Sequence, residues 1–178
     1  TMRDSQVETL FSNARAEFEK IFGREALCCG APGWQISPTA LALEDAANLL
    51  YASDTRGKFP FLPEMGGRVF KTIQIPSTLP TLDEVLGTVK IGQVADMHFA
   101  EMAKTEYSVI TAHAELEGMA YLKWFDEFLE AAQKRGVEFY SLEDRARELD
   151  AKRNTLPVCK IEMSPFAGRS GLLAVQQA

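Results

Sequence analysis

The 178-residue chain is 46% hydrophobic and 25% charged, a balance that fits one folded domain with its own core and excludes an intrinsically disordered segment. Its net charge of -6 at pH 7 argues against a nucleic-acid partner, because neutralising phosphates takes a surplus of clustered lysine and arginine. Three cysteines, Cys28, Cys29 and Cys159, form neither an even disulfide framework nor a C-x-x-C ribbon, and no run approaches the roughly 18 to 20 apolar residues that span a bilayer. The expectation is a cytoplasmic protein whose membrane contact, if any, is peripheral.

Val7, Leu10, Phe11, Ala14, Phe18, Ile21 and Phe22 recur at helical spacing, with Ser5 and Glu8 placed as a capping box and Gly23 as the stop. A short apolar strand over 26–29 runs into the turn residues Gly30-Ala31-Pro32-Gly33-Trp34. Ser37 caps a second helix with Pro38 at its first position, and a strand over 49–52 leads into Ser53-Asp54-Thr55-Arg56-Gly57. Pro60, Pro63 and Pro76 surround a strand over 69–75; a short helix starts at Thr81 and another covers 93–104. Residues 107–113 read as a β-branched strand ending on His113. A helix over 121–135 stops at Gly136, a strand covers 137–140, Ser141 and Asp144 cap a last helix, and the tail after Pro157 is short and mixed. This alternation predicts an α/β fold with a parallel sheet and helices outside it. About five strands are too few for a closed eight-stranded barrel, so the sheet is open or incomplete.

In parallel α/β folds the ligand site lies in the loops after the carboxyl ends of the strands. His113 could there donate a proton to a leaving amine near neutral pH, or simply be a hydrogen-bonded rim residue. His98, between Met97 and Phe99 on a helix, reads as packing or surface. Asp54 and Arg56, two apart in an extended segment, start on the same side and could hold a polar substrate or one another. Arg56, Lys58, Arg68 and Lys71 could attract an anionic headgroup or form solvated loop surface. Glu115 and Glu117 could orient the imidazole or be loop glutamates in solvent. Trp34 could stack on a sugar ring or form a wall. With two histidines, no His-x-x-x-His pair and no strand-end Asp-Asp, the chain offers no self-sufficient metal constellation, and Cys28 and Cys29 are poorly placed to chelate together.

The segments YASDTRGKFPFLP, QIPSTLPTLDEVLG, TAHAELEGMAY and FAGRSGLLAVQQA, in this order, resemble the undecaprenyl-phosphate formamido-arabinose deformylases, a branch of the polysaccharide-deacetylase family. The resemblance implies that residues 1–178 form the C-terminal portion of one catalytic domain with a distorted (β/α)7 barrel. It implies a divalent metal, zinc or similar, whose Asp-Asp and His-x-x-x-His ligands are not in this chain. The 30–34 loop aligns with the family's third motif, keeping the proline without its arginine; Asp54 and Arg56 match the fourth, and His113 matches the fifth, the general acid. The implied substrate is an N-formyl or N-acetyl amino sugar, carried on a polyprenyl phosphate at the inner membrane face, with Asp54, Arg56, Trp34 and Glu115 as its contacts. Two other readings are deacetylation of a soluble oligosaccharide and an inert barrel fragment lacking the metal site. A fragment with open strand edges would be prone to self-association, so a homo-oligomer is also expected.

Overall fold

In the computed structural model, which describes residues 2–177, the first apolar stripe forms α1 (Asp4–Phe22). Its cap is Arg3, whose backbone N–H donates to the Gln6 side chain at 3.0 Å, so Ser5 lies inside the first turn rather than capping it. Gly23 ends the helix as expected, donating its N–H to Glu19 O at 2.8 Å. Then follow β1 (Cys28–Cys29), α2 (Pro38–Ala46) and β2 (Tyr51–Ala52). Ser37 caps α2 by accepting from Ala40 N at 3.3 Å. The single strand expected over 69–75 is instead the end of a hairpin, β3 (Leu62–Met65) with β4 (Arg68–Val69), followed by β5 (Ile73–Gln74). Next come α3 (Leu82–Val85), α4 (Ile91–Met102), α5 (Leu122–Lys134) and α6 (Leu142–Asp150). The tail forms two strands, β6 (Val158–Pro165) and β7 (Leu172–Gln177).

The residues cluster into two compact units. One comprises the chain up to Pro76, Ser141–Ser164 and the segment from Leu172 onward. Its parallel sheet has the order β1-β2-β5, with Cys28 opposite Tyr51 and Tyr51 opposite Ile73. A second sheet, of order β4-β3-β6-β7, pairs β3 with β4 antiparallel and with β6 parallel, which corrects the expectation of a wholly parallel arrangement. Neither sheet closes on itself among the described residues. Along β6 the exposed Val158, Lys160 and Glu162 alternate with the buried Cys159 and Ile161, the period of a half-buried strand. Leu41, Phe61, Phe70, Cys159, Ile161 and Ala174 make the core, each large apolar side chain contributing roughly 1.5 to 3 kcal/mol by leaving water. Gln176 fastens the 56–59 loop. Its backbone N–H donates to Arg56 O at 2.8 Å, its Oε1 accepts from Lys58 N at 2.8 Å and its Nε2 donates to Phe59 O at 3.0 Å. A Cβ at position 57 would lie 2.6 Å from Gln176 Oε1, so only glycine fits that approach.

The other unit comprises Ser77–Tyr140 and Pro165–Gly171. Leu82, Val85 and Val94 form its small core, with Leu86, Val89, Met97, Leu116, Tyr121 and Trp124 packed around them. Phe128 of α5 stacks on Phe99 of α4 at 5.3 Å and on Trp124 at 5.6 Å, and the buried His98 meets its edge at 5.7 Å. Residues 107–113 are extended but form no strand ladder. Thr78 N and Leu79 N both donate to Val109 O at 3.1 Å, while Val109 N donates to the Thr78 hydroxyl at 2.8 Å, so a side chain takes the place of the backbone acceptor a ladder needs. Residues 137–140, expected as a strand, are also irregular, with Phe139 and Tyr140 exposed.

Candidate functional site

In the first unit the strands deliver polar side chains to the ends where loops begin. Asp54, two residues past β2, is 1% exposed; its Oδ1 accepts from Ala31 N at 2.6 Å and its Oδ2 from Gln74 Nε2 at 2.9 Å. Gln74 also donates to Glu44 Oε2 at 3.3 Å and accepts from Asp54 N at 3.2 Å. Burial pushes the Glu44 carboxyl well above the usual carboxylate range, and the neighbouring Asp54 charge adds to it. Burial raises Asp54 as well, against hydrogen bonds from Gln74, Glu44 and Ala31 that favour its ionised form. Burial thus pushes both acids toward their protonated forms, Glu44 the more strongly because the Asp54 charge adds to it. Cys29 adjoins them, its thiol pushed up by burial and then by the Asp54 and Glu44 charges.

One donor atom from each of Cys29, Glu44 and Asp54 falls within 4.8 Å of the others, close enough for an ion. Without an ion, burial favours the neutral thiol and the neutral Glu44, and each Asp54 oxygen already accepts a hydrogen bond, so an ion here would have to displace protons from Cys29 and Glu44. Beside this group the Arg56 guanidinium lies over the Trp34 ring, 4.9 Å from its centroid, and both residues are buried. Trp34 takes φ 52, a left-handed conformation that costs an L-residue about 1 to 3 kcal/mol. Tight packing of its ring beneath Arg56 is what such a conformation needs to persist.

The second unit holds His113. Its backbone is pinned from both sides: its N–H donates to Glu117 Oε2 at 2.7 Å, and its carbonyl accepts from Leu116 N at 3.0 Å and Glu117 N at 2.9 Å. A π-helical turn over Leu116–Ala120 follows, bringing Glu117 inward and burying it. The imidazole is 37% exposed, and its Nδ1 faces Asp83 Oδ1 at 3.8 Å. Asp83 Oδ2 in turn pairs with Arg169 Nη1 at 2.8 Å, and Arg169 Nε donates to Glu84 Oε1 at 3.0 Å.

No protein-family model matches the chain. It is 37% identical, over 84% of its own length and 52% of the relative's, to a probable 4-deoxy-4-formamido-L-arabinose-phosphoundecaprenol deformylase, ArnD, of Wigglesworthia glossinidia brevipalpis. A protein of the same name from Shewanella sediminis (strain HAW-EB3) is 30% identical over 86% of this chain and 49% of its own length. This chain is a relative of the ArnD deformylases. It spans about half the length of each of these two.

Of the residues singled out in this ArnD relative, Trp34 and Arg56 stack on one another, while Asp54 turns inward to Glu44 and Gln74. His113 stands with Asp83 in the other unit, where Glu115 is exposed and Glu117 is the glutamate that reaches the histidine, through its backbone. Of the basic cluster, Arg68 lies over the Phe70 ring at 4.7 Å, and Lys71 donates its backbone N–H to Asp45 at 2.8 Å. Sequence reasoning missed Glu44, Gln74, Asp83 and Arg169. Asp83 follows the Thr81 cap and Arg169 sits in the FAGRSG tail, so both lay inside segments that carried the resemblance. No local signal marks Glu44 and Gln74: Gln74 sits between Ile73 and Ile75, and Glu44 stands beside Asp45 on a helix with nothing to set one acid apart from the other.

Proposed function

We propose that this protein removes the N-formyl group of an amino sugar carried on a polyprenyl phosphate. The observation that carries the reading is the similarity to two proteins named as formamido-arabinose-phosphoundecaprenol deformylases, which covers more than four-fifths of the chain. In the reaction water adds to the formyl carbon, the C–N bond breaks, and formate and a free amine leave. His113 is the proton donor to that amine in this reading, through Nε2, because Nδ1 is the buried nitrogen of a partly exposed ring. Trp34 and Arg56 are sugar contacts in this reading, with the guanidinium lying over the indole ring. The two sheets of the first unit would be part of a deacetylase-type barrel. A divalent metal, zinc or similar, would supply water activation in this reading. No helix among the described residues is long and apolar enough to cross a membrane; in this reading the lipid-linked substrate is met at the inner membrane face.

The test is release of formate from a formylated amino-sugar polyprenyl phosphate by the intact protein. Formate release, lost by about 10²-fold to 10⁴-fold in His113→Ala, is the expected outcome. Acetate release from a soluble acetylated oligosaccharide, with no formate from the lipid-linked sugar, would replace this reading with an oligosaccharide deacetylase. Turnover unchanged in His113→Ala would remove the histidine from the chemistry.

A further inference from the structure

His113 is held by more than its own loop, and the group that faces its inner nitrogen is built with some care. Nδ1 is buried and has no hydrogen-bond partner among the described residues, although Asp83 Oδ1 stands 3.8 Å away. That gap is about 1 Å too long for a hydrogen bond, of the kind that tightens when a substrate closes a site. The Asp83 carboxylate is not free to turn elsewhere. Arg169 Nη1 grips Oδ2 at 2.8 Å, Arg169 Nη2 reaches Oδ1 at 3.3 Å, and the Thr81 hydroxyl donates to Oδ1. Arg169 is itself fixed, with Nε on Glu84 Oε1 at 3.0 Å and Nη2 on the Thr81 hydroxyl at 3.2 Å, while Glu84 Oε2 accepts from Thr81 N at 2.9 Å. The segment carrying Arg169 comes so close that a Cβ on Gly168 would lie 2.3 Å from Glu84 O, and Gly168 has φ +80. No side chain can occupy position 168 without moving that backbone.

We propose that Asp83, clamped by Arg169, is the positioning residue for His113: it accepts a hydrogen bond from Nδ1–H, fixes the ring's orientation and leaves Nε2 as the nitrogen that gives its proton to the leaving amine. When Nε2 releases its proton, the ring remains neutral with hydrogen on Nδ1, the tautomer that Asp83 retains, and Nε2 is reprotonated from solvent. The arrangement follows the general pattern in which a carboxylate holds the far side of a working imidazole. The carboxylate comes here from the Thr81-Leu82-Asp83-Glu84 cap, which touches the histidine from a different part of the chain. The catalytic half of this inference rests on the proposed role of His113.

Nitrogen-15 NMR of the imidazole in the intact protein tests the contact without substrate. The wild-type neutral ring is expected to carry its proton on Nδ1, and Asp83→Asn is expected to move it to Nε2, because an amide can donate to Nδ1 where a carboxylate cannot. In turnover, Asp83→Asn should lower kcat about 10-fold to 100-fold with KM within about twofold. Adding it to His113→Ala should change nothing further. A wild-type ring protonated on Nε2, which needs no variant to observe, would overturn the proposal. So would a double variant slower than His113→Ala by the same factor that separates Asp83→Asn from wild type, since that loss would not pass through the histidine. If the tautomer shifts as expected while His113→Ala keeps full turnover, the contact stands and the proton-donor reading falls.

Discussion

Asp54 with Glu44 in the first unit and Asp83 with Glu84 in the second are both acids drawn together, and they are kept in place by different means. The first pair lies among neutral donors, Gln74 and a backbone N–H, where burial pushes both carboxyls toward their protonated forms. Asp83 and Glu84 each take a different nitrogen of the Arg169 guanidinium. Taking a carboxylate out of water is costly unless a proton or a cation compensates. A proton suits a place that is almost wholly enclosed, as Asp54 and Glu44 are at 1% and 3% exposed. The cation suits a rim, where Asp83 remains about a third open to solvent.

Removing the cation should have the largest effect. Arg169→Met leaves the buried Glu84 without its guanidinium, and about 3 kcal/mol of unfolding free energy should be lost, discounted from a fully buried pair because Arg169 is 21% exposed. A urea midpoint that moves by less than the equivalent of 1 kcal/mol would mean the two acids do not depend on it. Gln74→Leu strips both carboxyls of the first unit of a donor and should cost about 2 kcal/mol. Chemical denaturation at neutral pH measures it, and a neutral result would mean water replaces the amide.

Glu44→Gln should have the smallest effect at any one pH and the clearest pH signature. With its folded value raised above the ordinary 4.5, Glu44 keeps a proton that the unfolded chain releases. Its contribution to stability is therefore complete below that value and declines as pH rises toward the raised one. Melting temperatures between about pH 5 and about pH 8 should fall in the wild type and fall less in Glu44→Gln, where an amide mimics the protonated acid. Parallel slopes for the two proteins would mean that Glu44 is ionised in the fold.

The sequence made the helices legible because their signals are local. Ser37 with Pro38, Thr81, Ser141 with Asp144, and Gly136 all stand where the structure uses them. The mixed sheet was harder to read, though two signals were present: Gly66-Gly67 is a hairpin turn, and Cys159-Lys160-Ile161-Glu162 alternates apolar with charged residues. What no local signal gives is the pairing of β3 with β6 across the chain, or the choice of a hydroxyl over a carbonyl that stops residues 107–113 from forming a ladder. The candidate site divides in the same way. His113, Arg56 and Trp34 were visible as residue types at loop positions, whereas Glu44, Gln74 and Arg169 act through partners distant in sequence.

The Gln176 fastening has a consequence for how the protein is made. Lys58 and Gln176 are 118 residues apart, and a ribosome adding about 5 to 20 residues per second needs roughly 6 to 24 s to cover that interval. For that time the Arg56 loop exists without the strand that completes it, and Gly57 has nothing to close against. The loop that presents Arg56 is therefore among the last parts of its unit to mature during translation.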